Sequence, residues 1–482
     1  MFLRHLDDVR GLFTGLKGSF SGVGITAYSR IVPAYLIQPY YIIALRQTGD
    51  LAGLGRKADI FCLEEAIRAR VQEPGFNSGS LLSAPQTKAH LKTLPDPKTM
   101  LLYQSYPELE AMARIEGWRL LANPSLLRMK VNDRSFFYQM AKEVGLNRIP
   151  GDIFPLKALY RNDYTFWAEK FASRFVLQLP EIKQGGGRGT FFIQSPVDYE
   201  VLLEELKEGK WRGKSINQVA IHNYIKGTPI SMTLCLTRHG ILYSDLQRQI
   251  IDLPYCRHIP EDGVFCGHSW GESPWPDHIR EGAKGQARLI GNYLTAMGYK
   301  GILGVDFMVE EGGERVYPLE INPRYTGAFP MLSQLYIQNQ RIPMDAFHIL
   351  EFLDIPYGID VEGLNEQYAE PFKGGHLILF ERPGKNLATG PIKAGLYTDD
   401  PDRGEISFAE ETLDFMKIKS DKAFMLMEGP SDVAENPSGS DDPFKRLCRL
   451  VFPRPIIDDR GRLRDEVLHE VNWVYNRIYG KG

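Results

Sequence analysis

Residues 301–327 set oxygen-bearing side chains into two apolar runs. The order is Gly-Ile-Leu-Gly-Val-Asp-Phe-Met-Val, a Glu-Glu-Gly-Gly-Glu-Arg break, then Val-Tyr-Pro-Leu-Glu-Ile-Asn-Pro-Arg-Tyr-Thr-Gly. Two apolar segments around a Gly-Gly break predict a β-hairpin. Asp306, Glu320 and Asn322 then stand on a sheet that otherwise faces a core. Carboxylates there are costly unless their charge is compensated, and a hard divalent cation with oxygen ligands does this well. Glu320, Asn322 and Arg324 are spaced by two, so they share one face while the segment stays extended, and Pro323 biases Asn322 that way. The register adds a condition. Asp306 and Glu320 face one side only if their pairing sum is even, because a slip of one residue flips a side chain. A two-residue Gly312-Gly313 loop gives an odd sum, so a three-residue loop or a bulge is required; Gly312-Gly313-Glu314 is the expected loop.

A second segment runs from Phe175 to Thr190 as strand, glycine-rich turn and strand. Gly185, Gly186, Gly187 and Gly189 would leave backbone N–H groups free to cap phosphate oxygens, while Lys183 and Arg188 add positive charge. It is not a Walker A loop, which needs G-x-x-x-x-G-K-[ST] leading into a helix.

Composition narrows the class. The chain has 482 residues, 43% hydrophobic and 24% charged, with a net charge of −3. That length suggests roughly three domains, and that charge offers no global basic field for nucleic acid. Asp7 and Asp8 without an apolar run argue against a signal peptide; Val32–Leu45, broken by Pro33 and Pro39, is too short to span a bilayer. Five scattered cysteines point to a reduced, cytoplasmic compartment.

Short apolar runs at Tyr40–Leu45, Ile60–Leu63 and Met100–Tyr103 suit buried strands of an α/β unit. A helix from Ser105-Tyr106-Pro107 to Gly117 and a strand at Arg119–Ala122 complete a β–α–β unit. Phe136, Phe137, Met140, Ala141 and Val144 mark a helix from Asn132 to Gly145. Asp198–Leu206 reads as helix, Val219–Ile225, Met232–Leu236 and Ile241–Tyr243 as strands. Ile279 to Met297 carries a helical apolar period ending at Gly298. Beyond about residue 365 the chain is strand- and turn-rich, and 428–443 reads as a mobile loop.

Taken together, the two constellations resemble the ATP-grasp superfamily, of the carboxylate–amine ligase type with an N-terminal pre-ATP-grasp domain. The likeness runs from about Asn123 to Leu353 and takes in the helix at 132–145, the glycine-rich loop, the strand His222-Asn-Tyr-Ile-Lys-Gly227, and Asp306 with Glu320-x-Asn322-x-Arg324. It implies a Rossmann-like domain at 1–122, a first grasp part at 123–226, a second at 227–364 with the metal site, and a strand-rich domain at 365–482. By resemblance Asp306, Glu320 and Asn322 hold Mg²⁺ (or Mn²⁺), and Arg324 steadies the transferring phosphate or the acyl intermediate. Gln178, Lys183, Gly185, Gly186, Gly187, Arg188, Gly189 and Thr190 would line ATP, the backbone at Asn223 and Ile225 would read adenine, and Arg248 would contact phosphates. The family usually has lysine where this chain has Gln178, so Lys183 or Arg188 would supply the charge; the hinge glutamate for ribose is replaced by Thr228-Pro229. The implied activity is ADP-forming ligation of a small carboxylate to an amine, with no membrane or nucleic-acid partner and room for a homodimer. Other ATP-grasp chemistry (phosphotransferase or carboxylase-like) and a nucleotide binder without turnover are the alternatives.

Three other motifs compete. Gly267-His-Ser-Trp-Gly271 fits the nucleophile elbow of α/β-hydrolases, with Ser269 as nucleophile and Asp306 and His348 downstream. That motif needs a helix at once, and Pro274 and Pro276 delay one. Cys256-x-His258 with Cys266-x-His268 matches no common zinc spacing. Gly53-x-Gly55-x-x-Ala58 leads into a strand where a dinucleotide fingerprint needs a helix.

Overall fold

The computed structural model describes residues 1–71, 76–182, 189–256, 258–259, 262–271, 275–382, 392–400, 404–430 and 445–480. The part of the expected 428–443 loop from residue 431 on lies outside them.

Five parallel strands form the first sheet, in the order Asp59–Cys62, Tyr41–Ala44, Ser19–Gly24, Lys98–Leu102, Arg119–Leu121. Most are apolar runs, as suits strands covered on both faces. The exception is central. Ser19–Gly24 reads Ser-Phe-Ser-Gly-Val-Gly, is buried throughout and has almost none of the branched residues that signal a strand. The helix Pro107–Glu116 joins the last two strands as expected, with Gly117 as its left-handed cap.

Four antiparallel strands make the second sheet, ordered Gly151–Pro155, Gln218–Asn223, Phe175–Gln178, Thr190–Ile193. The helices Tyr164–Phe171 and Pro196–Leu206 cover it, burying Trp167, Phe171, Tyr199 and Leu202 against Phe175 and Leu177. Ser195 caps the second helix by accepting from the Asp198 N–H at 3.2 Å.

The third sheet has eleven strands. The hairpin Gly301–Glu310 and Val316–Asn322 forms one end and pairs with Gly227–Thr237, followed by Gln247–Ile251 and Phe265–Trp270. The strands beyond residue 365 extend this same sheet, starting with Gly374–Phe380 on Phe265–Trp270. Helix Asp277–Ala296 packs Ile279, Ala283, Ala287, Ile290 and Leu294 on it, the apolar face read from the sequence. Among the described residues no helix is long and apolar enough to cross a membrane.

His348, buried on the helix Met344–Leu353, ties the first sheet to the third. Its Nδ1 accepts from the Ile302 N–H at 3.1 Å, and its Nε2 lies 3.1 Å from the Leu121 carbonyl, so the neutral ring donates there. Burial holds this imidazole down at about 4, against an ordinary 6.5. The unfolded chain therefore binds the proton more readily, and the stability this ring contributes above pH 6.5 is lost as pH falls towards 4. His348→Gln keeps one acceptor and one donor but cannot titrate. Thermal melts of both proteins should coincide near pH 7 within about 1 kcal/mol and diverge on acidification, wild type losing up to about 3 kcal/mol relative to the variant. Parallel curves would contradict this.

Candidate functional site

Asp306 and Glu320 are direct cross-strand partners on one face of the hairpin. The device that puts them there is a bulge. Phe307 pairs with Pro318 but Asp306 with Glu320, leaving Leu319 as the extra residue. Without it Leu319 would oppose Asp306 and Glu320 would point away. The expected three-residue loop is corrected: Glu310 donates to Arg315 at 2.9 Å, so the turn is Glu311-Gly312-Gly313-Glu314 with both glycines at positive φ. That turn alone gives an odd sum, and the bulge restores the even one.

Asn322 Nδ2 donates to Asp306 Oδ2 at 2.9 Å and reaches Glu320 Oε1 at 3.5 Å. Gln249 Nε2 donates to Asp306 Oδ1 at 2.9 Å. Burial, and then the charge of Glu320 beside it, push the Asp306 carboxyl well above the usual carboxylate range. Two carboxylates, with the Asn322 amide oxygen once that amide turns, are a fitting donor set for a hard cation.

The carboxylates open into a cleft of about 530 Å³ between the second and third sheets. Gln178, Thr190, Asn223, Ile225, Asp306 and Glu320 all line it. Its size suits a small-molecule ligand. The Asn223 N–H is taken by the Pro150 carbonyl at 3.0 Å, and its carbonyl already meets His222 Nδ1 at 3.1 Å. Lys183, Gly185, Gly186, Gly187 and Arg188 lie outside the described residues. Gly189 accepts from the Leu179 N–H at 2.9 Å, closing the base of that loop.

Two residues that the sequence reading passed over complete the cleft. Arg134, the first residue of helix Arg134–Val144, donates to Gln178 Oε1 and lies 3.6 Å from Glu320. It brings a guanidinium to the place where lysine is missing. Gln249 is the other. Gln178 is further held by Thr190 at 3.2 Å and by His222, whose imidazole burial holds down at about 4. Arg174 lies over the Tyr224 ring at 3.7 Å, and Phe192 meets the same ring edge-on, giving the hinge side an aromatic wall.

Two expectations about arginines change. The strand stops at Asn322, because the Arg324 N–H turns back to the Asn322 carbonyl at 2.7 Å, and so Arg324 does not continue the Glu320–Asn322 face. Its guanidinium donates to the Tyr103 hydroxyl of the first sheet at 2.7 Å. Arg248 neighbours Gln249, which faces Asp306, so strand alternation sends it to the opposite face. There it lies against Gly461, where a Cβ would come within 2.7 Å of its guanidinium. It does not reach the cleft.

The competing motifs resolve structurally. Ser269 sits inside strand Phe265–Trp270, fully buried, with Oγ accepting from the Ile456 N–H at 3.2 Å; it is on no elbow. His348 serves the inter-sheet contact described above. The Cys256 and Cys266 thiols approach to 3.3 Å in a buried apolar cluster, while His268 meets His376 at 3.1 Å. Gly53 and Gly55 precede strand Asp59–Cys62, as read.

The chain thus joins a parallel α/β sheet to two antiparallel sheets around a cleft, with a carboxylate hairpin at its edge. Residues 201–328 match the ATP-grasp domain family model. Among curated proteins it is 24% identical over 208 residues to the arginine-specific carbamoyl phosphate synthase large chain of Bacillus subtilis (strain 168), covering 42% of this chain and 18% of that one. It is 22% identical over 243 residues to the carbamoyl phosphate synthase large chain of Clostridium acetobutylicum, covering 49% of this chain and 20% of that one. The chain thus spans about a fifth of the length of these relatives. Biotin carboxylase of Campylobacter jejuni, solved as a β-γ-ATP complex, shares the fold at a TM-score of 0.59 and 13% identity, covering 96% of this chain and 92% of that one. The biotin carboxylase domain of Hydrogenobacter thermophilus 2-oxoglutarate carboxylase, with MgADP and bicarbonate, does so at 0.56 and 13%, covering 91% and 87%.

Proposed function

We propose that the chain is an ADP-forming ligase that activates a small carboxylate with ATP and joins it to an amine. The observation that carries this reading is the facing pair Asp306 and Glu320, bridged by Asn322, at the mouth of a nucleotide-sized cleft. Asp306, Glu320 and Asn322 would hold Mg²⁺, which when bound neutralises charge on the transferring phosphoryl oxygens. The second sheet would hold the nucleotide, with the Asn223–Ile225 hinge on the side of its base and Gln178 and Arg134 on the side of its phosphates. The substrate carboxylate would attack the γ-phosphate with ADP leaving; the amine held alongside would then attack the acyl carbon, displacing inorganic phosphate and giving up a proton, and proximity lowers that barrier. Arg324, next to the hairpin, stabilises the developing charge. Five buried free cysteines fit a reducing, cytoplasmic setting.

Arg134→Gln removes a charge-assisted contact to phosphate and should weaken Mg-ATP binding about tenfold or more by calorimetry; unchanged affinity would remove Arg134 from the site. The reaction itself is tested by the nucleotide released from Mg-ATP with pooled carboxylic acids and amines. ADP with inorganic phosphate supports the reading, and AMP with pyrophosphate overturns it.

A further inference from the structure

Gln249 lines the cleft from an interior strand, Gln247–Ile251, which runs between Gly227–Thr237 and Phe265–Trp270. Its position on that strand is well fixed. Gln247, two residues earlier on the same face, donates to the Thr233 hydroxyl at 3.0 Å and to the Ser244 hydroxyl at 2.9 Å. Buried His268 stands directly opposite Gln249 on the next strand. From this seat the Gln249 side chain reaches Asp306, with Nε2 donating to Oδ1 at 2.9 Å.

Two amides therefore hold Asp306, and they do so from different sides. Asn322 Nδ2 donates to Oδ2 at 2.9 Å and also approaches Glu320 Oε1 to 3.5 Å, so it stands between the two carboxylates. Gln249 takes the other oxygen of Asp306. A cation shared by both carboxylates belongs between them, in the place of the Asn322 NH₂ group. Turning that amide supplies an oxygen and frees Oδ2, and nothing in the exchange disturbs Gln249. The Gln249 amide has no reason to turn as well, because its oxygen would then face the ionised Oδ1. Asp306 is left with one oxygen to offer.

The number of oxygens a carboxylate offers bears on which cation it suits. Mg²⁺ demands near-ideal octahedral geometry at roughly 2.0–2.1 Å, whereas Ca²⁺ accepts about six to eight oxygens, often both from one carboxylate. Hydrogen bonds that fix a ligating carboxylate from outside typically change metal affinity by about ten- to a hundredfold.

We propose that Gln249 is a positioning residue which, by holding Asp306 Oδ1, restricts this carboxylate to one ligand oxygen and so selects Mg²⁺ over Ca²⁺. The proposal rests on the metal site of the ligase reading and adds what decides between two common divalent ions there.

Mn²⁺ serves as the probe. Its binding to the full chain, alone or with ADP, is followed by electron paramagnetic resonance, and Mg²⁺ and Ca²⁺ are then titrated in separately to displace it. Wild type should release Mn²⁺ at lower Mg²⁺ than Ca²⁺. In Gln249→Leu and Gln249→Met, which keep bulk without a donor, the ratio of Mg²⁺ to Ca²⁺ affinity should fall about tenfold or more. Melting in chelator shows which variant is folded, and Gln249→Met carries the test where Gln249→Leu is not. A ratio unchanged in a folded variant overturns the proposal, as does a wild type without preference for Mg²⁺. Equal loss of both ions also overturns it, since Gln249 would then be a ligand through its own oxygen. In each of these cases Mn²⁺ still binds wild type and is lost in Asp306→Asn, so the metal site stands. A wild type that binds no Mn²⁺ with or without ADP overturns the site itself and the proposal with it.

Discussion

Asp306→Asn and Glu320→Gln should each lower turnover about a thousandfold or more, since several kcal/mol of charge stabilisation goes with the cation they hold. Neither change should unfold the protein. The two carboxylates face each other across the hairpin, and burial already raises the Asp306 carboxyl. Making one of them neutral relieves that strain, so in chelator the variants should melt no lower than wild type. They should, however, lose the gain in melting temperature that Mg-ADP gives the native protein, because a ligand bound only to the folded state stabilises it. Stability and metal response thus move separately, which a misfolded variant could not imitate. Full activity in either variant would remove the hairpin from the chemistry.

Arg324→Gln is the second large effect. A charged donor acting mainly in the transition state costs about a hundred- to a thousandfold in kcat when removed, while KM for Mg-ATP should change only a few-fold. The Tyr103 hydroxyl accepts from Arg324 at 2.7 Å and orients it, so Tyr103→Phe should give a smaller loss of kcat in the same direction. A loss confined to KM for ATP in Arg324→Gln would instead make this arginine a nucleotide contact.

Much of this site was legible in the sequence. The hairpin announces itself because apolar residues flank a Gly-Gly break, and the parity of its register already demanded a loop of three or a bulge. Which of the two was not legible. Pro318-Leu319-Glu320 carries no local mark of a bulge, and the choice falls to pairing with the strand opposite. Arg324 looked collinear with Glu320 by spacing alone, but that argument holds only while the chain is extended, and it turns at Pro323. Arg248 was read without its face; once Gln249 is known to meet Asp306, alternation excludes it. Arg134 escaped because the helix was read from its apolar positions, whereas the residue that lines the cleft is the polar one just after the Asp133 cap. The strand Ser19–Gly24 could not be seen from β propensity. The last helix, Asp465–Tyr479, was legible and passed over: Val467, Val471, Val474, Tyr475 and Ile478 keep a helical period and are all buried.

The central claim is that a carboxylate is activated as an acyl phosphate at the expense of ATP. Hydroxylamine tests it most directly, because it captures an acyl phosphate as a stable hydroxamate. With Mg-ATP, hydroxylamine and a pool of small carboxylic acids, the account predicts ADP and one hydroxamate in equal amounts, both absent in Asp306→Asn. AMP accompanying the hydroxamate, or ADP released with no acid captured, would contradict it.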